Sequence, residues 1–496
     1  MGFLYSRILE EYMYYPTLEQ VKGMKGEGTV VPVYREIIAD LETPVSAFLK
    51  INSGGCAFLL ESVEGGERIG RYSFIGTDPY TIITSDGTSD PLPRIATEMK
   101  KFKIASRGEL PKLAGGAVGY LSYETVARFE NLPSPEKDTI GVPESMFMMV
   151  DTLLIFDHVT HTIKVMSHVY LKGDITAEYR KAVGKIDHLI DCLNRPLPSG
   201  QKAAGSVPSA EPESCSSNFT RDEYKAVVEK IKRYIVAGEV IQVVPSQRMY
   251  RKTTAAPFDI YRALRTINPS PYMFYYDFKD FQLIGASPEI LVRVAGNTVT
   301  TRPLAGTRPR GTTPAKDIAL EKELKSDEKE RAEHIMLVDL GRNDIGRVSK
   351  PGSVEVSDLM EVERYSHVMH LVTNVHGQLK PEMTAFDALR ACFPAGTVSG
   401  APKIRAMEII AEVEKEKRGP YAGAAGYISF SGDMDMAISI RTMVLKNGTA
   451  YTQAGGGVVY DSDPQKEYEE TLNKAGALLS ALNQAEKCDS TNGGGR

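Results

Sequence analysis

Between Pro196 and Asn218 the chain reads PLPSGQKAAGSVPSAEPESCSSN, and no other stretch limits the architecture as much. It is rich in Pro, Ser, Gly and Ala and has no apolar period, so it reads as a linker or exposed loop. It divides the 496 residues into segments 1–195 and 219–485, with a frayed tail over 486–496. Before it, short strand-like runs dominate: AFLLES (57–62), RYSFIG (71–76), GGAVGYLSY (115–123), DTLLIFD (151–157) and IKVMSHVYL (163–171). A helical stretch over Thr176–Leu193 alternates with them. After the linker, Thr220 with Asp222 and Glu223 caps a helix whose apolar residues recur through Val227, Val228, Ile231 and Ile235. Strands such as QLIGASPEILVRV and AGAAGYISF follow, mixed with long helices. The pattern is mixed α and β without the βαβα rhythm of a doubly wound sheet.

Bulk composition excludes several classes. Lys+Arg is 59 against Asp+Glu 64, a formal charge of −5, which leaves no basic footprint for nucleic acid. No apolar run reaches membrane-spanning length. The N-terminus lacks a signal-peptide pattern, and its loose myristoylation match at Gly2 and Ser6 has no polybasic stretch beside it. The five cysteines are scattered and form no C-x-x-C, as expected of a reduced, cytoplasmic protein without disulfides or a zinc site.

The run ERAEHIMLVDLGRND (330–344) carries the first chemical clue. On a helical wheel Glu333 shares a side with Met336, Leu337 and Leu340, while Ile335 and Val338 cover much of the rest. The helix is therefore expected to be apolar nearly all round and buried. A carboxylate there must be protonated, paired with a cation such as Arg331 or Arg342, or bound to a metal. The C-terminal helix, PQKEYEETLNKAGALLSAL, has an apolar stripe through Tyr468, Leu472, Ala475, Leu479 and Leu482. Glu470 and Lys474 flank it four residues apart, as a simple helix ion pair or as a metal carboxylate beside an anion-binding lysine.

Other motifs narrow the choice. GTVSGAPK (396–403) lacks the ending of a phosphate loop, and AGGGVV (454–459) lacks dinucleotide-fingerprint spacing. The latter is a tight turn or a set of N–H groups facing an anion. His367 and His370 are spaced to share a helix face, with no zinc motif around them. No G-x-C-x-G or G-x-S-x-G nucleophile elbow is present. Acids, one histidine, Arg441, Tyr421, Lys474 and glycines make a hard, oxygen-rich set suited to Mg²⁺ and a small carboxylate substrate.

At these motifs the sequence resembles the chorismate-utilising enzymes, and among them the large subunits of anthranilate synthases. The matching stretches include IQVVPSQR (241–248), NPSPYMFY (268–275), GASPEILV (285–292), RPLAGTRPRG (302–311), EHIMLVDLGRND (333–344), YSHVMHLVT (365–373), GPYAGAAGY (419–427), IRTM (440–443), QAGGGVVYDSDP (453–464) and EYEETLNKA (467–475). The resemblance implies an α+β fold, a core β-sandwich flanked by helices in two subdomains. The first, 1–195, would be regulatory and sense tryptophan; the second, 219–485, would bind chorismate. It implies Mg²⁺ on Glu333 and Glu470. Glu289 would protonate the departing ring hydroxyl, and His370 would handle the proton during pyruvate elimination. Tyr421, Arg441 and Gly455, Gly456 and Gly457 would clamp the enolpyruvyl carboxylate. Gly306 and Thr307 would touch the substrate's other side, and Lys474 would add charge.

Two departures from similar enzymes matter. Gln242 stands where water-activating relatives carry a lysine, and an amide is no general base. Ala305 stands where aminodeoxychorismate synthases often carry a nucleophilic lysine. Both favour attack by ammonia, supplied by a separate glutamine amidotransferase subunit because this chain has no elbow. The alternatives are an aminodeoxychorismate synthase and a non-catalytic amino-acid-binding regulator. Ser62, Pro271, Tyr272 and Met273 resemble a tryptophan-sensing site. The absence of Trp fits an enzyme made when tryptophan is scarce.

Overall fold

The computed structural model describes residues 14–63, 70–106, 108–198, 215–365 and 368–490. The strand-like runs form strands close to their expected limits, such as Ala57–Glu61, Tyr72–Thr77, Gly116–Leu121 and Thr162–Tyr170. Thr220 and Glu223 close a reciprocal capping box on the helix Arg221–Val236.

The described strands pair antiparallel into two large sheets and one two-stranded ladder, 242–243 with 400–401. The first has eleven strands in the order 30–38, 162–170, 152–157, 72–77, 57–61, 272–277, 281–287, 442–446, 449–455, 246–252 and 216–217. The second has ten, in the order 304–309, 368–378, 298–301, 290–295, 434–438, 424–429, 116–121, 145–150 and 81–85, with 355–364 also paired to 368–378. One core lies between them. Phe58, Phe74, Ile155, Tyr276 and Leu283 of the first sheet meet Val118, Tyr120, Met148 and Ala425 of the second. The outer face of the first is covered by the helices carrying Phe48, Ile186, Tyr261 and Leu478, and that of the second by those carrying Ile95, Leu389 and Ile410. This is the expected helix-flanked β-sandwich.

Both sheets are built from both sides of the linker. Strand 57–61 pairs with 272–277, and 116–121 pairs with 424–429. The linker therefore interrupts the chain without dividing the hydrogen-bonded sheets. Most of it, 199–214, lies outside the described residues. Its end is not all loop, because Ser216–Ser217 adds an edge strand beside 246–252. The expected tail is also shorter, since the last helix continues through Pro464–Ser490. The N-terminal myristoylation pattern falls outside the described residues. No helix among the described residues is long and apolar enough to cross a membrane.

Two helix expectations need correction. The helix Glu328–Gly346 buries one side only, through His334, Leu337, Val338, Gly341 and Ile345, while Ile335 is 48% exposed. It packs on strands 304–309 and 368–378 with solvent on its far side, so Arg331, Asp339 and Arg342 keep water while Glu333 and Asp344 lose much of it. In the C-terminal helix Leu472 is 39% exposed, and the buried face runs through Glu467, Thr471, Ala475, Leu478 and Leu482. Polar residues occupy its first turns because that end faces the glycine run rather than a hydrocarbon core.

Candidate active site

The run QLIGASPEILVRV breaks at Pro288–Glu289. Strand Phe281–Ser287 belongs to the first sheet and Ile290–Ala295 to the second, so Glu289 sits where the chain crosses between layers. The Glu289 carboxyl is 6% exposed, and burial pushes its pKa up to about 8, against weaker opposing pulls from Thr397, the Leu304 backbone and Lys474. Glu289 is thus an acid at neutral pH.

His370 lies on strand Val368–Gln378, not on a helix, and His367 lies outside the described residues. Its neighbour strand, Leu304–Pro309, carries a bulge between Ala305 and Thr307, where Gly306 takes φ +67°. The bulge aims the Gly306 carbonyl at His370 Nδ1, 2.8 Å away, with Thr307 Oγ1 at 3.1 Å. A carbonyl only accepts, so Nδ1 carries the hydrogen and Nε2 keeps its lone pair. Burial lowers the pKa of His370, the Gly306 carbonyl opposes that, and Arg441 adds to it. His370 is therefore a neutral base with a fixed tautomer.

Acid and base each feel a cation, Glu289 that of Lys474 and His370 that of Arg441. Arg441 Nη1 donates to the Lys474 carbonyl at 2.7 Å, and Lys474 Nζ donates to the Gly455 carbonyl at 3.0 Å. Lys474 also pairs with Glu470 Oε1 at 2.7 Å. Among the described residues Arg441 forms no salt bridge; burial lowers its pKa, with Tyr421 and Glu470 opposing. A guanidinium desolvated without a carboxylate partner is suited to an anionic ligand. Tyr421 completes the wall: a Cβ on Gly455 would lie 3.0 Å from its hydroxyl and 2.6 Å from the Pro245 carbonyl.

Acids converge opposite. Gln242 Nε2 donates to Glu333 Oε1 at 3.1 Å, so neither Arg331 nor Arg342 is the partner of Glu333, and Arg342 pairs with Asp339. Burial raises the Glu333 pKa; Gln242 and Lys474 oppose it, while Glu330 and Glu470 push it further. A Cβ on Gly457 would lie 2.6 Å from Gln242 Nε2, so a side chain there would displace the amide. Wheel geometry does not single out Glu467, one turn before Glu470. It is 8% exposed, accepts from Ser462 Oγ at 2.7 Å through Oε1, and leaves Oε2 without a partner. Burial raises its pKa, and Glu470 adds to the rise. A Cβ on Gly456 would lie 2.7 Å from that free oxygen. Nor does it single out Glu330, which stands one turn before Glu333 and pairs with Arg308. The repeated i, i+3 spacing of acids on the two helices is the signal that could have found both.

Among the described residues no three acid, histidine or cysteine side chains stand close enough to grip a metal. The chemistry of the donors nevertheless fits a hard dication. They are all carboxylates: Glu333 and Glu467 are partly desolvated, Glu470 is exposed and paired with Lys474, and one buried oxygen of Glu467 is unpartnered.

Ser62, Pro271, Tyr272 and Met273 come together elsewhere. They line an open cleft with Leu60, Phe74 and Tyr427, formed where strand 57–61 meets 272–277. Tyr272 donates to Asp435 Oδ1 at 3.2 Å and accepts from Arg293 Nη2 at 3.1 Å.

The family model for chorismate binding enzymes matches residues 55–480. The chain belongs to the chorismate binding enzyme family. Among family members, anthranilate synthase component 1 of Acetivibrio thermocellus is 49% identical, covering 95% of this chain and 99% of the relative. The enzyme of that name from Neisseria meningitidis serogroup B is 47% identical over 92% and 96%. The crystal structure of anthranilate synthase component I from Streptococcus pneumoniae matches with TM-score 0.75 at 40% identity, over 89% of this chain and 99% of that one. The menaquinone-specific isochorismate synthase of Escherichia coli shares the fold, with TM-score 0.68 at 19% identity over 94% and 98%.

Proposed function

We propose that this member of the family converts chorismate and ammonia to anthranilate and pyruvate as a cytoplasmic enzyme of tryptophan synthesis. The observation that carries the choice of nucleophile is the Gln242–Glu333 hydrogen bond. Water-activating relatives carry a lysine at the place of Gln242. Here that place holds an amide that donates to Glu333 and offers no base for water. Ala305, 8% exposed in strand 304–309, offers no amine for covalent attack. Ammonia needs neither.

The chain's own groups then divide the work. Arg441, Tyr421 and the Gly455–Gly457 run would hold the enolpyruvyl carboxylate, with Lys474 adding charge. Gly306 and Thr307 would contact the opposite side. Glu289, protonated at neutral pH, gives its proton to the ring hydroxyl as the C–O bond breaks and ammonia adds, so the hydroxyl leaves as water. His370 Nε2 then takes the ring proton whose loss aromatises the product, while the enolpyruvyl C–O bond breaks and the enolate of pyruvate departs, gaining a proton at its methylene carbon. Glu333 and Glu470, with Glu467 beside them, would hold Mg²⁺. When bound, that ion neutralises the ring carboxylate and the three acids around it.

A glutamine amidotransferase subunit supplies the ammonia in this reading, which fits relatives named as a first component. Tryptophan would bind the cleft at Ser62, Pro271, Tyr272 and Met273 as a feedback inhibitor. The test is product analysis with chorismate, Mg²⁺ and ammonium at mildly alkaline pH. Anthranilate and pyruvate in equal amounts are expected, with no turnover on glutamine alone. Isochorismate or 4-amino-4-deoxychorismate as main product, or tryptophan binding without turnover, would sink the reading.

A further inference from the structure

GTVSGAPK is no phosphate loop, and the chemistry above leaves most of it without a task. Its place in the fold gives it one. Gly400 and Ala401 pair with Val243 and Gln242, and Lys403 Nζ pairs with Asp344 on the Glu333 helix at 2.7 Å. The segment thus lies between the strand of Gln242 and the helix of Glu333. Behind it is Arg418, 1% exposed, outside the set of residues assigned to substrate.

The Arg418 guanidinium ties four segments together. Nε and Nη2 form a bidentate pair with Glu414, at 2.9 and 2.6 Å. Nη1 donates to the Val398 carbonyl inside GTVSGAPK at 2.7 Å, and Nη2 to the Val244 carbonyl, two residues after Gln242, at 2.7 Å. The cation also lies 4.6 Å from the Tyr123 ring centre and 5.6 Å from that of Tyr421. Glu414 Oε1 extends the network, accepting from Ser246 N and Oγ at 2.8 Å each. Ser246 stands opposite Gly455 in the strand ladder. One planar fork therefore reaches the tyrosine, the glutamine strand and the first glycine of the clamp.

We propose that Arg418 is a positioning residue that acts through Tyr421, fixing its ring beside Gly455 and holding the Gln242 strand against GTVSGAPK. This rests on the reading that Tyr421 and the glycine run hold a carboxylate of the substrate. A buried Arg–Glu pair can be a stability element alone. The difference shows in coupling, because a residue that acts through Tyr421 loses its effect once the Tyr421 hydroxyl is gone.

The experiment uses the full chain with ammonium as nitrogen source and compares wild type, Arg418→Lys, Tyr421→Phe and the double variant. Lysine keeps the charge but, with three donors on one nitrogen, cannot make the four hydrogen bonds of the planar fork. Arg418→Lys is expected to raise KM for chorismate about tenfold, more than it lowers kcat. Tyr421→Phe is expected to cost about fivefold or more in kcat/KM in wild type and under about twofold in the lysine background. Equal cost of Tyr421→Phe in both backgrounds would overturn the proposal, as would a lysine variant changed only in Tm. If Arg418→Lys does not fold, Glu414→Gln replaces it in the cycle, keeping the shape while weakening the grip on the guanidinium. If wild type makes no anthranilate, the reaction reading fails by itself, and chorismate Kd from calorimetry on the same proteins decides the coupling.

Discussion

Glu289 shows how one buried carboxyl links chemistry to pH. Its folded pKa of about 8 lies above the ordinary carboxylate value, so the native state holds a proton that the unfolded chain releases. Stability from this group is full below the unfolded pKa and is lost as pH rises toward 8. The acid form is also the one that can give a proton. At constant free ammonia, kcat is therefore expected to fall as pH passes about 8. Glu289→Gln should abolish turnover and flatten the stability loss between pH 5 and about 9 in thermal melts. A variant melting with the wild-type pH slope would refute the buried-acid assignment. Glu333 makes a second case. Its partner is an amide, so Glu333→Gln breaks no ion pair and relieves a burial penalty. Its Tm without metal should equal or exceed that of wild type. Mg²⁺ should raise the wild-type Tm by mass action and leave the variant's unchanged. An active Glu333→Gln enzyme with unaltered Mg²⁺ response would remove it from the metal site.

Two glycines decide geometry at the level of elements. Gly306 makes the bulge that presents its carbonyl to His370, and a Cβ there would lie 2.9 Å from Leu324 Cδ1. Gly306→Ala should cost about 1–2 kcal/mol of stability from positive φ alone. It should also lower kcat about tenfold or more by freeing the imidazole, on the general scale of acid–base contributions. Gly457→Ala is the cleaner probe, because the nearest atoms its Cβ would meet are those of the Gln242 side chain, from 2.6 Å. Activity should drop with little change in Tm, and normal kcat in the Gly457→Ala variant would show that the Gln242–Glu333 bond is dispensable.

The whole molecule joins what the linker separates. Strands 57–61 and 272–277 meet inside one sheet, and the cleft with Ser62 and Met273 opens at that seam. Neither half, 1–198 or 215–496, completes its own sheets, so neither expressed alone should melt cooperatively, whereas the two co-expressed should. Independent folding of either half would contradict the interleaved topology. The same seam gives the regulatory expectation. Tryptophan should raise the KM for chorismate, within the roughly 5–150-fold range of typical couplings, and Ser62→Arg or Met273→Thr should weaken this while sparing uninhibited turnover. Millimolar tryptophan without effect on wild type would end that reading.

Local order was open to the sequence because it is written in neighbours. The Thr220 capping box, the strand limits and the alternation of short strands with helices follow from residues a few positions apart. The sequence also singled out Glu289, Glu333 and Glu470, which all feel the charge of Lys474, Arg441, which donates to the Lys474 carbonyl, and His370, which feels Arg441. It misjudged the faces of both helices, since a wheel ranks side chains by polarity and cannot tell a hydrocarbon core from an acid-lined cavity. Hence Leu472 is exposed while Glu467 is buried. The burial of Glu467, the amide that holds Glu333 and the Arg418 fork depend on segments far apart in the chain, Tyr123 and Arg418 among them, and no local pattern encodes such contacts. Which elements form, and which chemical groups are available, is settled by the order of residues along the chain. Which carboxyls lose water, which cation is left without a counter-charge and which strands close the sheets is settled later, because desolvation and pairing arise only when distant segments meet.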